Sequence, residues 1–528
     1  MSYFVSVLIS KNFYAKLSER VSTQKGVKMK LYDIISNLKF LGIKNYQEQE
    51  IDSLTCDSKE NVSNGIYFCI KGIKVDGHDF AKESIQNGAV CLIVERYLDL
   101  PNTQILVENV RVAMSYISSV FYETYKSKMK FVGITGTNGK TTTTFLLREI
   151  LTRMGKKVGL IGTEGIYINS LILPPMLTTP DPINLHKTIR DMENNGCEFC
   201  IMEVSAHAIA LNKIDDIKYD VVGLSNITKD HLDFFLNMEN YVKCKAKLFD
   251  VSHAKSGVIN IDAKYNKDIA KKSNIEISTI GKDADLSLVS SSNQVKGTNF
   301  KLKYKSKQYS CSTNLIGDYN ISNLMLASAV LLNLGFNLKD ILNIVKTNEF
   351  VIPGRFNVLK ADADFNIIID YAHTPDGIKN ILTAIKKLPH NRIITVFGCG
   401  GNRDKSKRSE MGEVAVSLSD YVIVTSDNPR DENPELIIND IVQNINSKNV
   451  VKITDRKSAI EYALSISKPN DIVAILGKGA ENYQEIKGVK LHFSDYEVVD
   501  NFFKYSLKRE IQAWFLVCWH FYVLFFCR

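Results

Sequence analysis

Short apolar runs alternate along most of this chain with longer stretches in which apolar residues recur every three or four positions. That alternation predicts strand–helix–strand units around a mainly parallel sheet. Met29-Lys-Leu-Tyr-Asp-Ile-Ile-Ser-Asn-Leu38 predicts the first amphipathic helix, with apolar residues at 31, 34, 35 and 38. An α/β segment follows to about 125, with strand-like Gly65–Ile70 and Ala89–Val94 and a helix over 111–126. From Lys130 the order becomes strand, glycine loop, helix, strand; runs at Phe199–Met202, Asp220–Ser225 and Gly257–Asn260 then alternate with helices near 182–195 and 239–249. Between 285 and 313 the spacing changes to strict alternation, as in Phe300-Lys-Leu-Lys-Tyr304, which predicts antiparallel strands at the sheet edge. Helices over 321–347 close this unit. Beyond Pro353-Gly354-Arg355, strands at Ile367–Asp370, Ile393–Phe397, Tyr421–Thr425 and Ile472–Leu476 alternate with helices, predicting a second doubly wound unit.

The length of 528 residues fits three domains at roughly 150 residues each. Hydrophobic residues at 45% and charged residues at 23% are ordinary globular usage, which excludes a disordered chain. The formal charge of +8 includes no dense basic block, so no nucleic-acid partner is expected. Ten scattered cysteines with one CxxC pair, Cys197 and Cys200, read as reduced thiols in a cytoplasmic protein.

The ends differ from the middle. Residues 1–28 form an N-terminal extension with no basic segment before the short apolar run and no small-residue cleavage site, a poor match to a signal peptide. Both tryptophans, Trp514 and Trp519, lie in an apolar run over 513–527 that His520 interrupts. That run is short of the ~20 residues a membrane span needs. Residues 508–528 therefore read as an aromatic tail without a role in chemistry, and any membrane contact is expected only through it.

The strongest chemical signal is Phe131-Val-Gly-Ile-Thr-Gly136-Thr137-Asn138-Gly139-Lys140-Thr141-Thr142, a strand running into a glycine turn and a helix that opens with hydroxyls. Backbone N–H groups of such a turn and of the helix start bind phosphate oxygens; Lys140 adds a point charge, and Thr141 can ligate Mg²⁺. The spacing is GxxGKT, with Ile134 at the position of the usual first glycine. Downstream, Glu203-Val-Ser-Ala-His207 and Asp230-His231-Leu-Asp233 follow strands, at the sheet edge where ligands collect. Taken alone, Glu203 and His231 are ordinary polar side chains. Lys245, flanked by Lys243 and Lys247, has the spacing of a solvated helix lysine.

Together with Gly317-Asp-Tyr-Asn-Ile-Ser-Asn323, Pro353-Gly-Arg355 and Asp370-Tyr-Ala-His373-Thr-Pro375, these motifs resemble the Mur ligases of peptidoglycan synthesis over about 29–507. Asp57-Ser58, Thr178-Thr179-Pro-Asp-Pro182, Asp427-Asn428-Pro429-Arg430 and Gly477-Lys-Gly-Ala-Glu481 most resemble the MurE branch, which adds the third amino acid to UDP-N-acetylmuramoyl-dipeptide. The resemblance implies an ATP-dependent ligase of three α/β domains, acting as a monomer. A UDP-sugar-binding domain would span 29–126, a central P-loop ATPase domain with a parallel sheet 127–348, and a Rossmann-like amino-acid domain 349–507. By the same resemblance, Gly136 to Thr142 with Asn323, Arg355, Asp370 and His373 would line ATP. Thr141, Glu203 and His231 would hold Mg²⁺ with Lys245, which CO₂ would convert to a carbamate. Ser58, Thr178, Thr179, Ser205 and Lys213 would contact the UDP-sugar peptide. The chain departs from the usual pattern at Ala206, Lys213, Phe235 and Ala480.

The Asp427-Asn428-Pro429-Arg430 form resembles that of ligases adding meso-diaminopimelate, and the chemistry agrees. Diaminopimelate differs from lysine by a distal carboxylate, which a planar guanidinium binds bidentately. Arg403 and Arg430 would grip carboxylates, and Asn428, Gly477 and Glu481 would read the amine and distal centre. A lysine-adding ligase, a folylpolyglutamate synthase and a membrane-tethered ATP-binding module are the alternatives.

Overall fold

The computed structural model describes residues 28–504 apart from 73–74, 175–176, 295 and 360–362. The extension before residue 28 and the aromatic tail over 508–528 lie outside the described residues. Contacts group the chain into two compact units, one of 1–133, 154–220 and 251–255, the other of 134–153, 221–250 and 256–528.

In the first unit, a five-stranded sheet runs in the order Gly42–Lys44, Thr103–Leu106, Ala89–Val94, Gly65–Phe68, Ser53–Thr55. All neighbours are parallel except the first pair. Its apolar face packs under the helix Val110–Phe121, with Ile66, Phe68, Ile93 and Ile105 meeting Met114 and Ile117. The helix expected over 29–38 is shorter: Met29–Lys30 pairs with Glu50–Ile51 as a strand, and only Leu31–Ile35 is helical. Leu31, Ile34 and Ile35 are the apolar residues it buries, as the spacing required.

The same unit carries a second group of strands. Phe199–Glu203 pairs in parallel with Val158–Gly162, and Val158–Gly162 begins an antiparallel meander through Gly165–Ile168 to Leu171–Leu173. The helix Pro182–Asn194 starts with Pro182 in its first turn and Asp181 as its cap, accepting from the Asn184 N–H at 3.1 Å.

In the second unit, Ala254–Asn260 and Glu276–Gly281 are parallel, then Leu286–Gln294, Gly297–Tyr304 and Lys307–Thr313 form the expected antiparallel strands. A six-stranded sheet follows in the order Asn357–Leu359, Asn366–Asp370, Ile472–Leu476, Ile393–Phe397, Tyr421–Val424, Val450–Lys452, antiparallel only at its first pair. Its central strands are buried on both faces between helices, as their unbroken Ile/Val runs demand. The carboxyl ends of three of them lead into Tyr371, Gly398 and Gly477, so the loops bearing the expected site residues gather at one edge.

Candidate active site

The strand Lys130–Thr135 ends in Gly136, and the helix Lys140–Arg153 begins after Gly139. Gly136 has φ +146° and Gly139 φ +88°, and both approach neighbours closely. A Cβ would lie 2.0 Å from Ser225 Oγ at Gly136 and 2.3 Å from Asn323 Oδ1 at Gly139. The turn is clamped by residues that its sequence does not announce. Asn138 N–H donates to Asn226 Oδ1 (3.0 Å), Ser225 Oγ and Asn226 Nδ2 donate to the Asn138 carbonyl (2.6 and 3.0 Å), and Thr137 N–H donates to the Asn226 carbonyl (2.7 Å). Such a turn leading into a helix start is a cradle for phosphate oxygens. Lys140 Nζ donates to the carbonyls of Gly136 (3.0 Å) and Thr137 (2.9 Å), and Thr142 is buried in the first helical turn.

Lys245 is not a solvated helix lysine. It is 1% exposed, and its Nζ reaches the Gly136 carbonyl at 2.9 Å, the Thr135 hydroxyl at 3.4 Å and the Tyr241 ring at 4.8 Å. Burial, then the charge of Lys140, pushes its pKa well below the usual lysine value. Both Nζ groups converge on the Gly136 carbonyl, so the charged form of Lys245 is disfavoured beside Lys140. Asp230 and His231 stand nearby in sequence: His231 Nε2 is 3.3 Å from Asp230 Oδ2, and His231 has φ +56°. Among the described residues no group of three His, Cys, Asp or Glu side chains could hold a metal ion.

Residues from the loops and helices flanking the six-stranded sheet reach the turn and Asp230. Arg355 Nη2 donates to Thr141 Oγ1 at 3.1 Å and stacks on Tyr371 at 4.3 Å. Asn138 Nδ2 donates to Asp376 Oδ2 at 3.1 Å. Lys407 Nζ is 3.3 Å from Asp230 Oδ1. Burial alone would raise the Asp230 carboxyl, but Lys407, His231 and His373 hold it well below the ordinary carboxylate range. Asp370 serves the backbone, accepting from Phe356 N–H and Ala372 N–H, each at 2.7 Å; its burial raises its pKa. His373 Nδ1 contacts the Tyr371 carbonyl at 2.9 Å, and burial with Lys407 nearby lowers its pKa to about 4.

The expected sugar-peptide residues all lie in the first unit, where Thr178, Thr179, Ser205 and Lys213 are linked by hydrogen bonds and Ser58 is engaged elsewhere. Thr179 Oγ1 donates to the Glu203 carbonyl (2.8 Å) and lies 3.3 Å from Ser205 Oγ, which caps Ala206–Ala210 by accepting from Ala208 N–H. Thr178 Oγ1 meets Thr163 Oγ1 at 3.1 Å, and Thr163 donates through both its N–H and its hydroxyl to the Glu203 carboxylate (2.9 and 3.1 Å). Lys213 Nζ donates to the Thr179 carbonyl at 3.4 Å, and burial lowers its pKa. Ser58 instead donates to Glu83, and its carbonyl accepts from Asn87.

The expected amino-acid residues also come together. Asn428 Nδ2 donates to Glu481 Oε2 at 2.9 Å, and a Cβ on Gly477 would lie 2.8 Å from Asp427 Oδ2. A Cβ on Gly401 would strike the Pro429 carbonyl at 1.9 Å, and one on Gly400 would meet Arg430 Nη1 at 3.0 Å and Arg403 Cγ at 3.7 Å. The two-pronged grip expected of Arg430 is partly committed already: Nε pairs with Glu485 Oε2 (3.0 Å) and Nη1 donates to the Gly401 carbonyl (2.8 Å).

The sequence reading missed the buried charges behind these loops. Arg408, 1% exposed, pairs with Glu432 and Asp440 and reaches the Gly400 carbonyl at 3.4 Å, fixing the loop that bears Arg403. Arg456 pairs with Asp495 at 2.7 Å and donates to the Leu476 carbonyl at 3.0 Å, just before Gly477.

Three family models match: the Mur ligase family catalytic domain over 50–137, the Mur ligase middle domain over 134–331 and the Mur ligase glutamate ligase domain over 354–479. A UDP-N-acetylmuramoyl-L-alanyl-D-glutamate–2,6-diaminopimelate ligase of Clostridium acetobutylicum is 40% identical over 487 residues, covering 90% of this chain and 99% of the relative. One from Aquifex aeolicus is 42% identical, covering 85% and 93%. A solved structure of a ligase of that name superposes with a TM-score of 0.62 at 29% identity, covering 87% of this chain and 96% of its own.

Proposed function

This chain belongs to the Mur ligase family, with its three-domain α/β fold, and from that membership we propose that it uses ATP to add meso-diaminopimelate to UDP-N-acetylmuramoyl-L-Ala-D-Glu in peptidoglycan precursor synthesis. The observation that carries this reading is the 40% identity to a diaminopimelate ligase across 90% of the chain. We assign residues 29–126 to the UDP-sugar, 127–348 to ATP and metal, and 349–507 to the amino acid. No described helix is long and apolar enough to cross a membrane. We take the cytoplasm, where ATP and the nucleotide-sugar occur, as its place of action.

The glycine turn fits a nucleotide's phosphates, because the missing Cβ atoms of Gly136 and Gly139 keep it open and close to its clamps. An oxygen of the D-glutamate carboxylate attacks the γ-phosphorus; the bond to the bridging oxygen breaks, ADP leaves, and an acyl phosphate remains. Lys140 provides a fixed cation beside the transferring group, and Arg355, held on Thr141 and Tyr371, provides a second. The amine of diaminopimelate then attacks the acyl carbon, phosphate leaves with the electron pair of the broken C–O bond, and the amine's proton passes to solvent.

Thr141 and His231 would supply oxygen and nitrogen donors for magnesium, which when bound would offset the charge of the transferring phosphoryl group. Lys245 would supply carbamate oxygens, and Glu203 is the further ligand that the family resemblance implies. With its charged form disfavoured by burial, the Lys245 amine would add its lone pair to CO₂ and lose a proton to give the carbamate. Arg403 and Arg430 face the ligand's carboxylates, and Asn428 and Glu481 its distal amine.

The test is phosphate release by the full chain with ATP, Mg²⁺ and UDP-N-acetylmuramoyl-L-Ala-D-Glu, with each candidate amino acid added in turn. Release stimulated by diaminopimelate and not by lysine is expected. Stimulation by lysine alone would reassign the specificity, and release indifferent to every amino acid would end the ligase reading.

A further inference from the structure

Lys478 sits between two residues assigned above to the incoming amino acid, yet no solvent reaches it: its side chain is 0% exposed. A lysine this deep needs acceptors, and it has them. Its Nζ donates to Glu481 Oε2 at 2.9 Å and to Asn428 Oδ1 at 3.2 Å, and it lies 5.4 Å from the centre of the Tyr483 ring. Asn428 Oδ1 also accepts from the Glu485 N–H at 3.0 Å. Both groups facing that oxygen are pure donors, so the amide is fixed with its carbonyl toward Lys478 and its NH₂ toward Glu481. Glu481 Oε2 in turn accepts from Lys478 and from Asn428 Nδ2, leaving Oε1 opposite the Tyr371 hydroxyl at a long 3.5 Å.

Resting on the diaminopimelate reading, we infer that Lys478 is a positioning residue for the distal centre of the amino acid. It sets the Asn428 amide and pins one Glu481 oxygen, so that the other oxygen is presented to the ligand's distal ammonium. The distal centre of diaminopimelate carries an ammonium and a carboxylate together. A carboxylate flanked by a buried cation, with Arg403 and Arg430 beside Gly400, is complementary to both charges. Lysine as substrate offers only the ammonium. Lys478 itself never touches the ligand; it acts through Asn428 and Glu481.

Steady-state phosphate release tests this with the full chain and each substrate varied in turn. Lys478→Met is expected to raise the KM for diaminopimelate about 10-fold or more, with the KM values for ATP and the UDP-sugar peptide within about twofold. Lys478→Arg, which keeps a cation, should recover part of that loss. The double variant Lys478→Met/Glu481→Gln should be no worse than the poorer single variant, because the two act as one unit. If the Met variant does not fold, Lys478→Gln, which keeps a donor but removes the cation and shortens the side chain, is expected to show the same selective rise. An unchanged KM for diaminopimelate, an equal rise for all three substrates, or additive effects in the double variant would overturn the inference. Wild-type release that ignores diaminopimelate would instead fail the functional reading, and the inference with it.

Discussion

Lys245 shows how a residue's surroundings override its sequence. Flanked by two lysines on a polar helix, it reads as solvated. The fold instead carries it beneath the glycine turn, where a charged ammonium would face Lys140 across one carbonyl. Lys245→Ala is expected to lower kcat about 100-fold or more, the usual scale for a lost metal-site group, with partial recovery on adding small carboxylates; an active, unrescued variant would remove it from the site. Arg430, expected to grip a carboxylate with both prongs, is already engaged within the fold. Its Nε pairs with Glu485 and its Nη1 donates to the Gly401 carbonyl, contacts on different edges of the guanidinium, so a ligand carboxylate would be met through Nη2. Arg430→Ala should therefore raise the KM for diaminopimelate about 10- to 100-fold and leave that for ATP nearly unchanged, as read by initial rates. Glycine spacing and motif order made the turn, Asn428 and Glu481 legible. The clamps Ser225 and Asn226 and the burial of Lys478 were not, because the contacts to Asn138 and to Asn428 that define them join residues far apart in sequence.

At the scale of elements, the periodicity located the buried strands well and the short edge pieces poorly. Ile393–Phe397 and Ile472–Leu476 are unbroken β-branched and apolar runs, and they are the central strands of their sheet. The hairpin through Gly165–Ile168 and Leu171–Leu173 went unread, since its strands are too short to establish a period. The helix Pro182–Asn194 carries a feature that spacing cannot show. His186 is wholly buried, its Nδ1 2.6 Å from Thr124 Oγ1, and burial lowers its pKa to about 3. The folded state thus binds fewer protons than the unfolded state between pH 3 and the unfolded value near 6.5. Stability contributed by the neutral ring is fully present above about pH 6.5 and is lost as pH falls, at no more than about 1.4 kcal/mol per pH unit for one histidine. His373, lowered to about 4, adds to the same acid limb. Thermal unfolding between pH 7 and 4 should show a falling Tm, and His186→Gln should flatten that fall. An identical slope in the variant would show that His186 does not report on folding.

At the scale of the molecule, three domains were legible in length and in the repeated strand–helix alternation, but not how they exchange contacts. The second unit joins the glycine turn and the six-stranded sheet in one body, through Arg355 on Thr141, Asn138 on Asp376 and Lys407 on Asp230. The third of these is the most exacting. Both side chains are largely buried, at 11% and 7% exposure, so the pair is shielded from the screening that makes surface ion pairs weak. Removing one partner leaves a buried, uncompensated charge, which costs about 3–5 kcal/mol, whereas removing both charges is often close to neutral. Lys407→Met should accordingly lower Tm markedly, and adding Asp230→Asn to it should restore much of the loss. Restoration would identify the ion pair as a tie within the second unit whose cost lies in the orphaned carboxylate. A double variant no more stable than Lys407→Met would mean instead that the Lys407 stem, packed beside Asp230, contributes through its apolar contacts.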